Sequence, residues 1–178
     1  MSQCAFGLQE GVGGGSRVNL SRFANTAFDR LRILERYRRI GMVGLSSNPF
    51  RPSHFAAIYL LSEGYDVVPV NPRESEVLGK KCYSSLAAIP GGVEVVDIFR
   101  EPAAVPAIVD EAIAIGAKVI WMQLGVIHEG AAERARSAGL EVVMDRCMKI
   151  EHARFFGGLN TIGMNTAVIT ARRKKRNL

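Results

Sequence analysis

Along most of the chain, short apolar runs alternate with longer stretches whose apolar residues recur at helical spacing. Ile40–Leu45 (IGMVGL), Asp66–Asn71 (DVVPVN), Val93–Phe99 (VEVVDIF), Ala117–Leu124 (AKVIWMQL) and Glu141–Met144 read as five buried strands. Pro69 is awkward for a central strand, because it brings no backbone N–H. Helices are predicted at Pro52–Ser62, Ser84–Ile89, Pro102–Ile115, Glu129–Ala138 and Met148–Phe155. In the first of these, Phe55, Ile58, Tyr59 and Leu61 are available for a core face. Pro52 suits a first helical turn, and Gly64, Gly116 and Gly139 suit helix ends. Upstream, Phe23–Arg39 sets Phe23, Ala27, Leu31 and Leu34 near helical spacing among arginines. It reads as an amphipathic helix capping the domain, and its apolar side could join two subunits in a homodimer.

Strands alternating with helices imply right-handed crossovers. The expected product is an α/β fold: a doubly wound parallel sheet of about five strands with helices on both faces. In such sheets ligands lie beyond the carboxyl ends of the strands, at the point where strand order reverses. The places to look are therefore GLSSNPFR, VNPRE, IFREP, MQLG and MDRC.

Composition narrows the picture. The 178 residues suit one domain, and 48% hydrophobic content is enough for a packed core. Residues 1–20 are Gly- and Ser-rich and read as a flexible leader, residues 21–160 as the domain, and residues 161–178 as a basic tail. Arg172–Arg176 carries five of the formal net charge of +6, so the remainder is nearly neutral at +1. A solvated end is the favoured reading of that tail, over binding to nucleic acid or an anionic membrane. No apolar run approaches the ~20 residues needed to span a bilayer, and the N-terminus lacks the plan of a secretory signal. Cys4, Cys82 and Cys147 form neither a disulfide framework nor a zinc pattern, so free thiols in a reducing cytoplasm are expected.

The first strand end carries candidate chemistry. Gly44 permits a tight turn, Ser46, Ser47 and Asn48 precede a helix start, and Arg51 adds a positive charge. Unpaired N–H groups and the helix dipole attract anions at such a turn, although a plain strand-to-helix connection would look the same. The glycines of a dinucleotide fingerprint are missing. The second strand ends in Val70-Asn71-Pro72-Arg73, with no acid before Glu74 to hold a ribose diol. This counts against NAD. It permits NADP or another phosphorylated adenosine nucleotide, such as coenzyme A with its ribose 3′-phosphate.

The order of GLSSNPFRPS, GYDVVPVNP with LGKKCYSSL, VDIFREP, WMQLGV and EVVMDRCMKIEHAR resembles the stand-alone CoA-binding domain proteins. These are small Rossmann-like relatives of the N-terminal domain of the succinyl-CoA synthetase α subunit. The resemblance covers Arg39 to Arg154. It implies that CoA or an acyl-CoA is bound, with the diphosphate over Ser46, Ser47 and Asn48. It implies adenosine against Val70, Asn71, Pro72, Phe99 and Arg100, and a contribution from Trp121, Met122 and Gln123. Where the synthetase has a Lys after its second-strand proline, this chain reads Arg73-Glu74, so Arg73 is the nearest substitute. Arg51, Arg73 and Arg100 could supply planar donors to phosphates. Phe99 could wall the adenine, although a core position is the favoured reading of Phe99 and, packed under the cleft, of Trp121.

No catalytic residue is assigned. The resemblance puts the synthetase's phosphorylated His in a second domain, and no counterpart of that machinery is expected here. His54, His128 and His152 are dispersed without metal-ligand spacing. Cys147 follows the fifth strand beside Arg146 and Lys149, a setting that lowers a thiol pKa and could pair it with the CoA thiol in a mixed disulfide. An ordinary packed cysteine is the simpler reading. The expected function is a non-catalytic carrier, sensor or regulatory module. An NADP-dependent oxidoreductase and a nucleic-acid-associated protein acting through the tail are the alternatives.

Overall fold

The computed structural model describes residues 26–157. The glycine-rich leader, Phe23 and the basic tail lie outside them. A parallel sheet of five strands forms the centre: β1 (Arg39–Val43), β2 (Asp66–Val70), β5 (Val95–Ile98), β6 (Val119–Met122) and β7 (Glu141–Val143). Their order is β2-β1-β5-β6-β7. After β2 the chain crosses back over β1 to start β5 on its other side, which makes the gap between β1 and β5 the switch point. The strands are shorter than the apolar runs, several of which continue past the strand end, to the buried Leu45 after β1 and the half-buried Phe99 after β5.

Pro69 is accommodated because β2 is an edge strand. Its carbonyl accepts from Tyr83 N–H at 2.9 Å on the side away from β1. The nitrogen points the same way, so no ladder bond to β1 is lost.

Two hydrophobic cores flank the sheet. On one face, α1 (Ala27–Arg36), α2 (Pro52–Ser62) and α5 (Met148–Phe156) bury Ile33, Leu34, Leu60 and Met148 against Met42, Val95 and Trp121. On the other, α3 (Val105–Ala114) and α4 (Glu129–Ser137) bury Val109, Ala112 and Ala132 against Val96, Ile98 and Ile120. A 3-10 turn, Pro102–Ala104, precedes α3 where one continuous helix is expected.

The structure corrects several sequence expectations. α1 begins only at Ala27, where Thr26 caps it reciprocally with Asp29. Ile33 and Leu34 pack inside the molecule, whereas Ala27 is exposed and Leu31 half-buried. Arg30 on that helix is buried and pairs with the buried Glu151 of α5 at 2.8 Å. The α2 face is rotated: Ser53, Ala56, Ala57 and Leu60 are buried, whereas Phe55 and Ile58 are exposed. Small side chains let the helix lie close on the sheet.

Ser84–Ile89 is not a helix but a series of turns. So short a helix nucleates poorly, and here Ala87 N–H finds the Glu111 carboxylate at 3.1 Å instead. Leu86 and Val93 of this crossing press against Gly41, where a Cβ would lie 3.0 Å from each. A small hairpin, β3 (Glu76–Val77) and β4 (Lys80–Lys81), has no strong sequence signature. Its two-residue turn, Leu78-Gly79, takes positive φ at both positions (55° and 71°).

Candidate functional site

A cleft of ≈ 970 Å³ opens at the carboxyl ends of the strands. Its position follows from strand order. The chain leaves β1 through Gly44 at φ +89°, and a Cβ there would lie 2.7 Å from Phe99 O and 2.9 Å from Arg100 Cδ. Only glycine lets the first turn pass so near the end of β5.

Beyond Gly44, Leu45 is fully buried and anchors the turn. Ser46 Oγ accepts from Asn48 N–H at 3.2 Å, and Asn48 Oδ1 accepts from Phe50 N–H at 2.9 Å. Ser46 lines the cleft, while the exposed Ser47 and Asn48 stand outside its lining. The oxygens of Ser46 and Asn48 shape the turn, so they are not idle acceptors waiting for a ligand. Ser47 N–H and Oγ both donate to Glu74 Oε1, at 3.1 and 2.9 Å. Arg51 caps α2 from the cleft rim, and Pro52 follows at N1.

Asn71 ties the first two strand ends together. Its Nδ2 donates to Leu45 O at 2.9 Å, and its Oδ1 accepts from Arg73 N–H at 3.1 Å. Asn71 and Arg73 line the cleft, but Val70 is buried and Pro72 is turned away from the lining. The end of β5 supplies Phe99 and Arg100.

The fourth strand is corrected in part. Trp121 and Met122 are fully buried, in the cores on opposite sheet faces, and neither meets the cleft. In a sheet covered on both faces, only residues past the strand end escape the packing helices. Trp121 instead donates from Nε1 to Arg146 O at 2.8 Å, bracing the segment that leads into α5. Gln123, one residue past the strand, does line the cleft.

The α5 N-terminus forms a wall that the sequence reading largely missed. Lys149 and Ile150 join Cys147 there, and only the Lys149 charge beside Cys147 hinted at it. Asp145 Oδ1 accepts from Gly125 N–H at 2.8 Å, tying the turn after β6 to the approach to α5. The cleft therefore lies between the N-termini of two helices, α2 and α5, whose dipoles both favour an anion. Arg51, Arg73, Arg100 and Lys149 line it against the carboxylates of Glu74 and Glu101. Among the described residues none of these four cations makes a salt bridge.

Two groups near the floor have shifted proton affinities. Asp97 is fully buried, and burial pushes its carboxyl up to about 7, against the Gln123 hydrogen bond that lowers it. Gln123 Nε2 donates to Asp97 Oδ1 at 2.8 Å, and Oδ2 has no partner among the described residues. Burial also pushes the Cys147 thiol up, with the Asp97 charge adding to the shift. This overturns the expectation of a lowered thiol pKa: desolvation outweighs the cations and the helix start.

The histidines have structural partners. His54 Nδ1 lies 2.9 Å from Ser46 O, His128 Nδ1 accepts from Ala131 N–H, and His152 Nδ1 lies 3.0 Å from Tyr59 Oη. No cluster of metal-ligating side chains occurs among the described residues, and no described helix is long and apolar enough to cross a membrane.

Comparison with known proteins agrees with this geometry. The model of the CoA binding domain matches residues 38–153. The uncharacterized protein YneT of Bacillus subtilis (strain 168) is 40% identical over 121 residues, covering 68% of this chain and 90% of that protein. A hypothetical protein from Pyrococcus horikoshii OT3 is 46% identical with a TM-score of 0.73, covering 74% of this chain and 93% of its own. A dinucleotide-forming acetyl-coenzyme A synthetase from Ca. Korarchaeum cryptofilum is 27% identical with a TM-score of 0.57, covering 65% of this chain but only 28% of the synthetase. The family match takes in every strand end that builds the cleft, from Gly44 to Ile150, and the chain belongs to the CoA-binding domain family.

Proposed function

We propose that the cleft binds coenzyme A or an acyl-CoA, and that the protein acts as a carrier, sensor or regulatory module without chemistry of its own. The observation that carries this reading is the group of four cations that make no salt bridge among the described residues, Arg51, Arg73, Arg100 and Lys149, around a cleft bounded by two helix N-termini. Such a site asks for a ligand with several separated negative charges. Coenzyme A brings a diphosphate and a ribose 3′-phosphate.

In this reading, Arg51 and the first turn receive the diphosphate, and Arg73 at the second strand end receives the 3′-phosphate. Phe99, half-buried at the cleft edge, offers a ring face to adenine. Gln123, Cys147 and Ile150 border the space left for the pantetheine arm. Each histidine holds a structural hydrogen bond and burial raises the Cys147 thiol pKa, so this reading assigns none of them a catalytic role.

The test is calorimetric titration of ligand-stripped protein with CoA, dephospho-CoA and NADP. Binding of CoA, weakened by loss of the 3′-phosphate, supports the assignment. NADP bound as tightly as or more tightly than CoA would favour the oxidoreductase reading instead.

A further inference from the structure

The first turn already holds an anion. Ser47 donates its N–H and its hydroxyl to a single oxygen, Glu74 Oε1, at 3.1 and 2.9 Å. Glu74 comes from the loop after β2, 27 positions along the chain. Its own N–H is fixed to Asn71 O at 3.2 Å, and its side chain lines the cleft. Among the described residues Glu74 forms no salt bridge, although Arg51 and Arg73 line the same cleft. A half-buried carboxylate thus prefers a neutral backbone and hydroxyl pair over neighbouring guanidinium groups. That preference marks the Ser47 donors as a good seat for negative charge.

We propose that Glu74 is a built-in competitor for this seat. Its carboxylate holds the Ser47 donors until a ligand diphosphate displaces it, so Glu74 sets the affinity of the site and selects ligands by the charge they bring to the first turn. The proposal rests on the coenzyme reading above. The physical argument is exclusion. One pair of donors cannot serve two anions at contact distance, and the like charges repel at the cleft edge. A diphosphate carries more charge than the carboxylate and also meets Arg51, so it wins the exchange. A neutral pantetheine arm brings nothing that competes for Ser47. Once displaced, Glu74 adds negative charge beside the ligand, and its presence weakens binding in both states.

Two substitutions separate charge from contact. Glu74→Gln keeps an acceptor for Ser47 and removes the charge; Glu74→Ala removes both. The full chain and both variants are titrated calorimetrically with CoA, ADP and pantetheine. Glu74→Ala is expected to tighten CoA and ADP by about tenfold, Glu74→Gln by less, and neither to change the response to pantetheine. Wild-type binding of CoA with unchanged or weaker CoA and ADP binding in both variants would overturn the competitor while leaving the coenzyme reading intact. A gain that extends equally to pantetheine would also overturn it, since that pattern reports a general opening of the cleft. No CoA binding by the wild type or either variant would overturn the coenzyme reading, and the competitor with it.

Discussion

Gly44 and Phe99 meet where no side chain can stand between them: a Cβ on Gly44 would lie 2.7 Å from the Phe99 carbonyl oxygen. This close approach joins the ends of β1 and β5, the two strands that frame the cleft. Gly44→Ala must move the Phe99 backbone and hold alanine at φ +89°. It should cost about 3 kcal/mol of stability, read as a lower midpoint in urea denaturation. An unchanged midpoint would mean that the turn relaxes without disturbing β5.

Charge reversal should separate the two proposed phosphate contacts. Arg73→Glu is expected to weaken CoA about tenfold and to erase most of the difference between CoA and dephospho-CoA. Arg51→Glu should weaken both coenzymes alike, because each carries the diphosphate. Arg73→Glu with an undiminished preference for the 3′-phosphate would move that contact to another cation.

Asp97 should make stability depend on pH in an uncommon direction for a carboxyl. Its native pKa is raised from 3.8 to about 7. Between those values the folded protein holds a proton that the unfolded chain has released, so stability falls as pH rises through this window and levels off above it. Asp97→Asn retains an acceptor for Gln123 and cannot ionise. It should match the parent near pH 4 and exceed it at pH 8 by a few kcal/mol. The lowered pKa of His152 adds an opposite slope at the acid end, losing stability as pH falls below about 6.5. Both proteins share it, so the difference between their curves isolates Asp97. Parallel curves would place the Asp97 proton affinity near its ordinary value.

Cys147 lines the cleft on the side proposed for the pantetheine arm. With its thiol pKa raised, it should react slowly with iodoacetamide at pH 7 and faster as the pH climbs past 9. Bound acetyl-CoA, whose sulfur is blocked and does not consume the reagent as CoA would, should slow the reaction further, because Cys147 lines the cleft. Intact mass of the full chain against a Cys147→Ser control follows this one thiol. Equal rates with and without acetyl-CoA would put the ligand elsewhere.

Much of the fold was legible because parallel strands buried on both faces are continuous apolar runs. The bounds of α2 coincide with those read from Pro52 and Gly64, two residues that act locally. The strand-to-helix turn at GLSSNPFR was legible too, since its small polar residues and Pro52 act locally. The short turns at Ser84–Ile89 and the Leu78-Gly79 hairpin were not. Their backbone partners, Glu111 for Ala87 and the β3–β4 pairing, come from tertiary packing or from an unusual turn.

The chain's own pattern determined the α/β alternation, the strand ends that could carry a ligand and the presence of arginines at four of them. Only the tertiary structure decided which side chains reach the cleft. It placed β2 at the edge and so made room for Pro69; it buried Trp121 and Met122 under the helices and exposed Phe55. It brought Glu74 onto Ser47, Lys149 opposite the α2 N-terminus and Asp97 beneath Gln123. The reason is range. Periodicity and turn chemistry act over a few neighbouring residues, whereas these contacts join residues that only the strand order β2-β1-β5-β6-β7 and the packing of helices on both faces bring together.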